Sequence, residues 1–133
     1  MKNRTLAADY LQRASHRLAA IDLLFQRESW ADVVRESQEA VELALKSLLR
    51  AAGIEVPRIH DVSQILVEEQ ARLPGRIRPH VDRLAAISRS LRRDRELAFY
   101  GSEDLTPSDF YRREDAEQAR DDARWVVETV AGE

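Results

Sequence analysis

The sequence has 133 residues, a length that predicts a single domain over residues 1–133. Its 44% hydrophobic and 34% charged residues suit a folded, well-solvated protein and exclude a disordered chain. The chain contains no cysteine, which excludes disulfides and thiolate metal sites. It has no apolar run long enough to span a bilayer and no signal peptide at its N-terminus, so we expect a cytoplasmic protein.

The net charge of −3 conceals an uneven distribution. Residues 72–95 contain eight arginines and two acids, a local balance of +6, whereas residues 103–133 contain ten acids and four arginines, a balance of −6. In the simplest interpretation the two segments lie against each other or face solvent. In the functional interpretation the basic segment binds phosphate groups.

Glycine and proline occur at a few places and leave long segments without helix breakers, as in a helical bundle. The first segment carries one apolar stripe at steps of three and four residues, which predicts a helix. The stripe consists of Leu6, Tyr10, Ala14, Leu18, Ile21 and Phe25. The second predicted helix follows Ser29, a candidate N-cap with Asp32 in the capping-box position, and ends near Gly53.

Three more helices follow in the sequence. A short one begins after Asp61, its predicted N-cap. The last two run from about residue 78 to 97 and from about residue 113 to 130. We therefore predict an all-α fold, an up-and-down bundle of four long helices plus a short one. The apolar stripe of the second helix is broad, which favours a homodimer in which a second copy covers part of it.

Several kinds of chemistry have no support in the sequence. The three histidines, His16, His60 and His80, fall in different segments and have no second ligand at metal spacing. The four glycines are scattered singly, so there is no glycine-rich phosphate loop. We expect neither a metal nor a cofactor.

Two polar groupings remain. The first lies on the second helix and consists of Gln38, Glu39, Glu42 and Lys46. Because Glu42 and Lys46 are four residues apart in the favourable order, a solvated ion pair is the simplest interpretation. The second grouping ends the fourth helix and consists of Arg92, Arg93, Arg95, Tyr100 and Glu103. Its arginines oppose the helix dipole, but they also suit phosphate binding, and Tyr100 could stack on a base.

Three stretches carry a family resemblance. Residues 37–49 have the pattern Gln-x-Ala-x-Glu-x-x-x-Lys followed by leucines, and residues 53–61 have a proline and then His60 and Asp61. Residues 95–101 contain Arg-x-x-x-x-Tyr, from Arg95 to Tyr100. In order and spacing these stretches, together with the alanine-rich last helix, resemble the HEPN domain family over nearly the whole chain.

The resemblance implies a helical bundle that commonly dimerises and pairs with a minimal nucleotidyltransferase, often as a toxin–antitoxin system. Catalytically active members are metal-independent RNases with an Arg-x(4–6)-His motif. Counted from Arg95, the histidine should fall at residues 100–102, which are Tyr, Gly and Ser here. Tyrosine has a pKa of about 10 and is a poor general base at neutral pH. We therefore predict a non-catalytic module that binds a nucleotide or RNA beside its partner.

The predicted binding residues are Arg92, Arg93, Arg95, Tyr100, Glu42, Lys46 and His60. The expected partners are a second copy of the chain, a minimal nucleotidyltransferase and a nucleotide or RNA, with no membrane. Two alternatives stay open. One is a divergent metal-independent RNase toxin with His60 as the candidate base. The other is a purely structural homodimeric assembly protein, in which the second-helix face serves packing alone.

Overall fold

The computed structural model describes the backbone of residues 2–56, 61–100 and 106–132 and the side chains of residues 5–56, 61–92 and 106–132. This described part is all-helical and contains no strand. Its helices are α1 (Lys2–Gln26), α2 (Trp30–Ala51), α3 (Val62–Glu68), α4 (Val81–Tyr100), α5 (Pro107–Phe110) and α6 (Arg113–Ala131). The predictions of an all-α fold, of four long helices and of a short helix after Asp61 are confirmed.

Helices α1 and α2 form an antiparallel hairpin. At its open end the Ser47 hydroxyl donates a hydrogen bond of 2.7 Å to the Ala7 carbonyl. At its closed end the rings of Phe25 and Trp30 meet edge to face, with centroids 5.0 Å apart. The two helices are therefore packed along their whole length.

Helix α6 also runs antiparallel to α1. The Arg124 guanidinium donates to the Asp22 carboxylate at 3.0 Å, and one turn earlier in α6 the Arg120 guanidinium lies 4.0 Å from the centre of the Phe25 ring. On the α6 face that packs against α2, buried alanines allow a close approach of the two helices. These are Ala116, Ala119 and Ala123.

Helix α2 is the centre of the fold. It contacts α1, α4 and α6, and also the two short helices α3 and α5. Its apolar residues are buried on nearly every side, which accounts for the broad stripe seen in the sequence. Because helices of the same chain cover this stripe, its breadth gives no reason to expect a second copy, and that step from sequence to homodimer was wrong. Dimerisation itself stays a prediction.

The helix ends follow the sequence in part. Asp61 caps α3 as predicted, because its carboxylate accepts the backbone N–H of Ser63 at 2.9 Å. Ser29 does precede α2, but the expected capping box is wrong. Its hydroxyl donates to the Asp32 carboxylate at 2.7 Å and makes no side-chain cap on the helix backbone. Residues 78–80 form a 3₁₀ turn before α4, and the short helix α5 was not predicted.

None of the helices in the described part of the chain combines the length and apolar character that a membrane span requires.

Candidate functional site

A small cavity opens where α2, α3 and α4 meet. The residues that line it are Gln38, Val41, Glu42, Val62, Ser88, Leu91 and Arg92. Glu42 belongs to one polar grouping of the sequence and Arg92, 50 residues later, belongs to the other. The fold brings both to the lining of this cavity. The cavity volume is about 10 Å³, room for about one water molecule, so a larger ligand would lie across its mouth.

The floor of this cleft is polar, although it is deeply buried. Gln38 is only 5% exposed. Its amide Nε2 donates a hydrogen bond of 2.7 Å to Glu42 Oε2. Its other amide atom, Oε1, is buried and has no hydrogen-bond partner among the described residues. An unpaired buried carbonyl oxygen costs free energy, so it is a place where a bound donor would be favourable.

The rim on the α2 side carries a charged pair. Lys46 Nζ lies 3.3 Å from Glu42 Oε1, so the predicted i,i+4 ion pair is formed. Both side chains are a little more than one third exposed, and solvent screening leaves such a pair worth at most about 1 kcal/mol. Glu42 therefore holds the Gln38 amide with one oxygen and Lys46 with the other.

The opposite rim is formed by the start of α3 and by α4. Arg92 Nη1 lies 3.5 Å from Asp61 Oδ1. The same oxygen accepts hydrogen bonds from the Ser63 hydroxyl at 2.7 Å and from the Ser63 backbone N–H at 2.9 Å. Partial burial raises the pKa of Asp61, but the hydrogen bonds from Ser63 and the charges of Arg92 and Arg89 outweigh it and hold that pKa below its usual value.

Most described arginines of the basic segment 72–95 have contacts of their own. Arg76 and Arg78 donate to backbone carbonyls, and the Arg83 guanidinium lies 3.7 Å from the centre of the Trp125 ring. Among the described residues, no arginine of this segment forms an ion pair with an acid of residues 106–132. The two segments do lie against each other, because Arg76 donates to the end of α6 and Arg83 lies over Trp125 of the same helix. That part of the simplest interpretation is confirmed, although these contacts are not ion pairs.

The other predicted binding residues lie outside the described part. The side chains of Arg93, Arg95 and Tyr100 are not described, although all three belong to α4, and His60 falls in the undescribed link before α3. Within the described residues, no group of three or more His, Asp or Glu side chains could hold a metal ion.

The fold adds to the candidate site two polar residues for which the sequence predicted other roles. Gln38 belonged to a grouping interpreted as a solvated face, and Asp61 was predicted only as a helix cap. Their spacing gave a partial signal, because Gln38 precedes Glu42 by one helical turn and Asp61 follows His60 in the family-like link. Their roles in the cleft depend on contacts between helices, which that spacing does not encode.

The geometry therefore defines the class of protein, which is an all-helical domain with a charged cleft between its second, third and fourth helices. A model of the HEPN domain family matches residues 7–133. The chain therefore belongs to the HEPN domain family, as the resemblance in its sequence suggested. No curated protein and no solved structure was found to match it.

Proposed function

We propose that this HEPN domain binds the phosphate of a nucleotide or RNA at the cleft between α2, α3 and α4, and that it does not cleave its ligand. The observation that carries the proposal is that Arg92 and Glu42 line the same small cavity together with the buried Gln38 amide. Arginine supplies a planar cation for phosphate, and the partly exposed Glu42 carboxylate can accept hydrogen bonds from ligand hydroxyls or amines. The buried Gln38 oxygen could accept a hydrogen bond from one water molecule in the cavity.

The binding surface extends along α4 in this proposal. Arg95 follows Arg92 by three positions in the helix, close to one helical turn, and Tyr100 ends the same helix. Lys46 lies on the α2 rim. Arg93 and His60 complete the proposed set on the evidence of the sequence alone. Single-stranded RNA fits such a surface, because successive phosphates can follow arginines while a base stacks on an aromatic ring.

The non-catalytic half of the proposal rests on the sequence. The Arg-x(4–6)-His pattern of the active members lacks its histidine here, where residues 100–102 are Tyr, Gly and Ser. The proposal has further parts that rest on family membership alone. They are pairing with a minimal nucleotidyltransferase as a toxin–antitoxin system, and dimerisation.

The test is a titration of the purified protein with fluorescent single-stranded RNA and with ATP, followed by anisotropy. The Arg92→Gln variant should weaken binding about tenfold, because a charge-assisted contact to phosphate is worth about 1.5 kcal/mol. Arg27→Gln is the matched control, since Arg27 is an exposed arginine at the end of α1 and its loss changes the net charge equally. It should weaken binding by less than about twofold at 0.15 M salt.

Two results would contradict the proposal. Equal weakening by both variants would place binding in the overall charge and not in the cleft. If neither ligand binds, the proposal is removed altogether. The integrity of the RNA after each titration, read on a denaturing gel, tests the RNase alternative, for which cleavage that is lost in a His60→Ala variant would be the signature.

A further inference from the structure

The Arg92 guanidinium is held by a carboxylate of the protein itself. Its Nη1 lies 3.5 Å from Asp61 Oδ1, and this contact joins α4 to the N-terminus of α3. Arginine bound to a carboxylate presents fewer free N–H groups and a smaller effective charge to any other anion. An anionic ligand at the cleft therefore meets Asp61 as a competitor.

The contact is one that a ligand can exchange. Asp61 Oδ1 also accepts two shorter hydrogen bonds from Ser63, at 2.7 and 2.9 Å, so the longer approach of Arg92 is the weakest of its three. The side chains of Arg92 and Asp61 are 49% and 38% exposed, so water reaches both. If Arg92 turns to a ligand, Asp61 still caps α3 and loses only the weakest of its three contacts.

We propose that Asp61 competes with the ligand phosphate for Arg92 and so limits how strongly the cleft binds an anion. The inference rests on the proposed function, because it assigns Asp61 a specificity role in that same cleft. A phosphate on Arg92 would lie roughly 5 Å from the Asp61 carboxylate, where two like charges in water oppose each other enough to weaken binding about three- to fivefold.

The opposite role makes the opposite prediction. If Asp61 positioned Arg92 for the ligand, then neutralising Asp61 would free the arginine to move and would weaken binding. If Asp61 competes, neutralising it strengthens binding. The sign of the change therefore separates the two roles.

The experiment measures the affinity for a fluorescent single-stranded RNA with Asp61→Asn and Asp61→Ser, both of which keep a good N-cap for α3. Asp61→Asn should bind about three- to fivefold more tightly than wild type at 0.1 M salt, and the gain should shrink at 0.5 M salt. Asp61→Ser, which is too short to reach Arg92, should show a gain at least as large. Thermal unfolding within a few degrees of wild type shows that α3 is intact.

Asp82→Asn is the matched control. It removes one negative charge from the same helix as Arg92, but ten residues away, about 15 Å along the axis and beyond the screening length at 0.1 M salt. At that salt concentration its affinity should stay within about 1.5-fold of wild type. An equal gain in all three variants would overturn the inference, because net charge alone would then explain it.

The inference and the proposed function fail differently. If wild type binds RNA through Arg92 and neither Asp61 variant binds more tightly, the inference is wrong and the proposed function stands. If neither wild type nor the Asp61 variants bind RNA, both are wrong. Binding that appears only in the Asp61 variants would support the inference strongly.

Discussion

Replacing Gln38 by methionine tests whether the buried amide belongs to a binding site or to the packing of the fold. Methionine has nearly the same volume and a flexible side chain, so it fits the same place between α2 and α4. The exchange removes the unpaired Oε1 atom and the hydrogen bond from Nε2 to Glu42. The two losses change the free energy of unfolding in opposite directions.

The sum can be worked from the contacts. Removing a buried acceptor without a partner stabilises the fold by about 1–3 kcal/mol. Losing the bond to the partly exposed Glu42 costs about 0.5–1.5 kcal/mol. We therefore expect Gln38→Met to raise the free energy of unfolding by about 1 kcal/mol, which is a rise of roughly 4 °C in Tm for a domain of this size.

The same variant should bind RNA less well, because the cleft loses its buried acceptor and Glu42 loses the amide that orients it. Greater stability with weaker binding is the pattern expected of a residue kept for function. The measurements are urea unfolding followed by circular dichroism and the RNA titration described above. Gln64→Met is the matched control, since Gln64 Nε2 donates to Glu68 at 2.9 Å in an exposed i,i+4 pair. Its stability should fall by no more than about 0.5 kcal/mol.

One result would refute the reasoning. If Gln38→Met lowers the free energy of unfolding by more than about 1 kcal/mol, the Gln38 amide is well satisfied in the folded protein and serves its structure. The cleft floor would then offer no free acceptor to a ligand, and Gln38 would have to be removed from the proposed site.

Two further predictions concern stability. Asp61 has a lower pKa in the folded protein than in the unfolded chain. Its contribution to stability is therefore present above the unfolded pKa of about 3.8 and is lost as the pH falls through the folded pKa. Between pH 6 and pH 3, wild type should lose more stability than Asp61→Asn in urea titrations, and equal losses would show that the pKa of Asp61 is unperturbed. Arg76 donates to the carbonyls of Thr129 and Val130 at 2.6 and 2.8 Å, so Arg76→Ala should cost about 1 kcal/mol and speed amide exchange in the last turn of α6. Arg76→Lys, which keeps the charge without the forked donors, should recover only part of that loss, and full recovery would mean that charge alone matters.

Local rules explain what could be predicted of the fold. The end of α6 was predicted to within one residue, and the N-cap at Asp61 was predicted correctly, because helical periodicity and capping involve residues within a few positions of each other. The Glu42 and Lys46 pair was predictable for the same reason. The 3₁₀ turn before α4 and the helix α5 were missed, although Thr106 and Pro107 gave α5 a local start signal.

The candidate site was predictable only by halves. The sequence identified Glu42 and Arg92 as members of two separate polar groupings, and the family resemblance predicted that both bind the ligand. The sequence did not show that the two side chains line one cavity, that Gln38 lines it with an unpaired oxygen, or that Asp61 lies against the arginine. Each of these facts requires a contact between helices.

The sequence by itself determined the four long helical segments and the short one after Asp61, which of their faces are apolar and which family the chain resembles. The tertiary structure decided that α2 is central, so that its broad stripe is covered within one chain, and that α3 and α4 meet over the α2 face bearing Gln38. The physical reason is the range of the interactions. Hydrogen bonds within a helix join near neighbours in sequence, whereas the pairing of Asp61 with Arg92 depends on the packing that closes the loop of 30 residues between them.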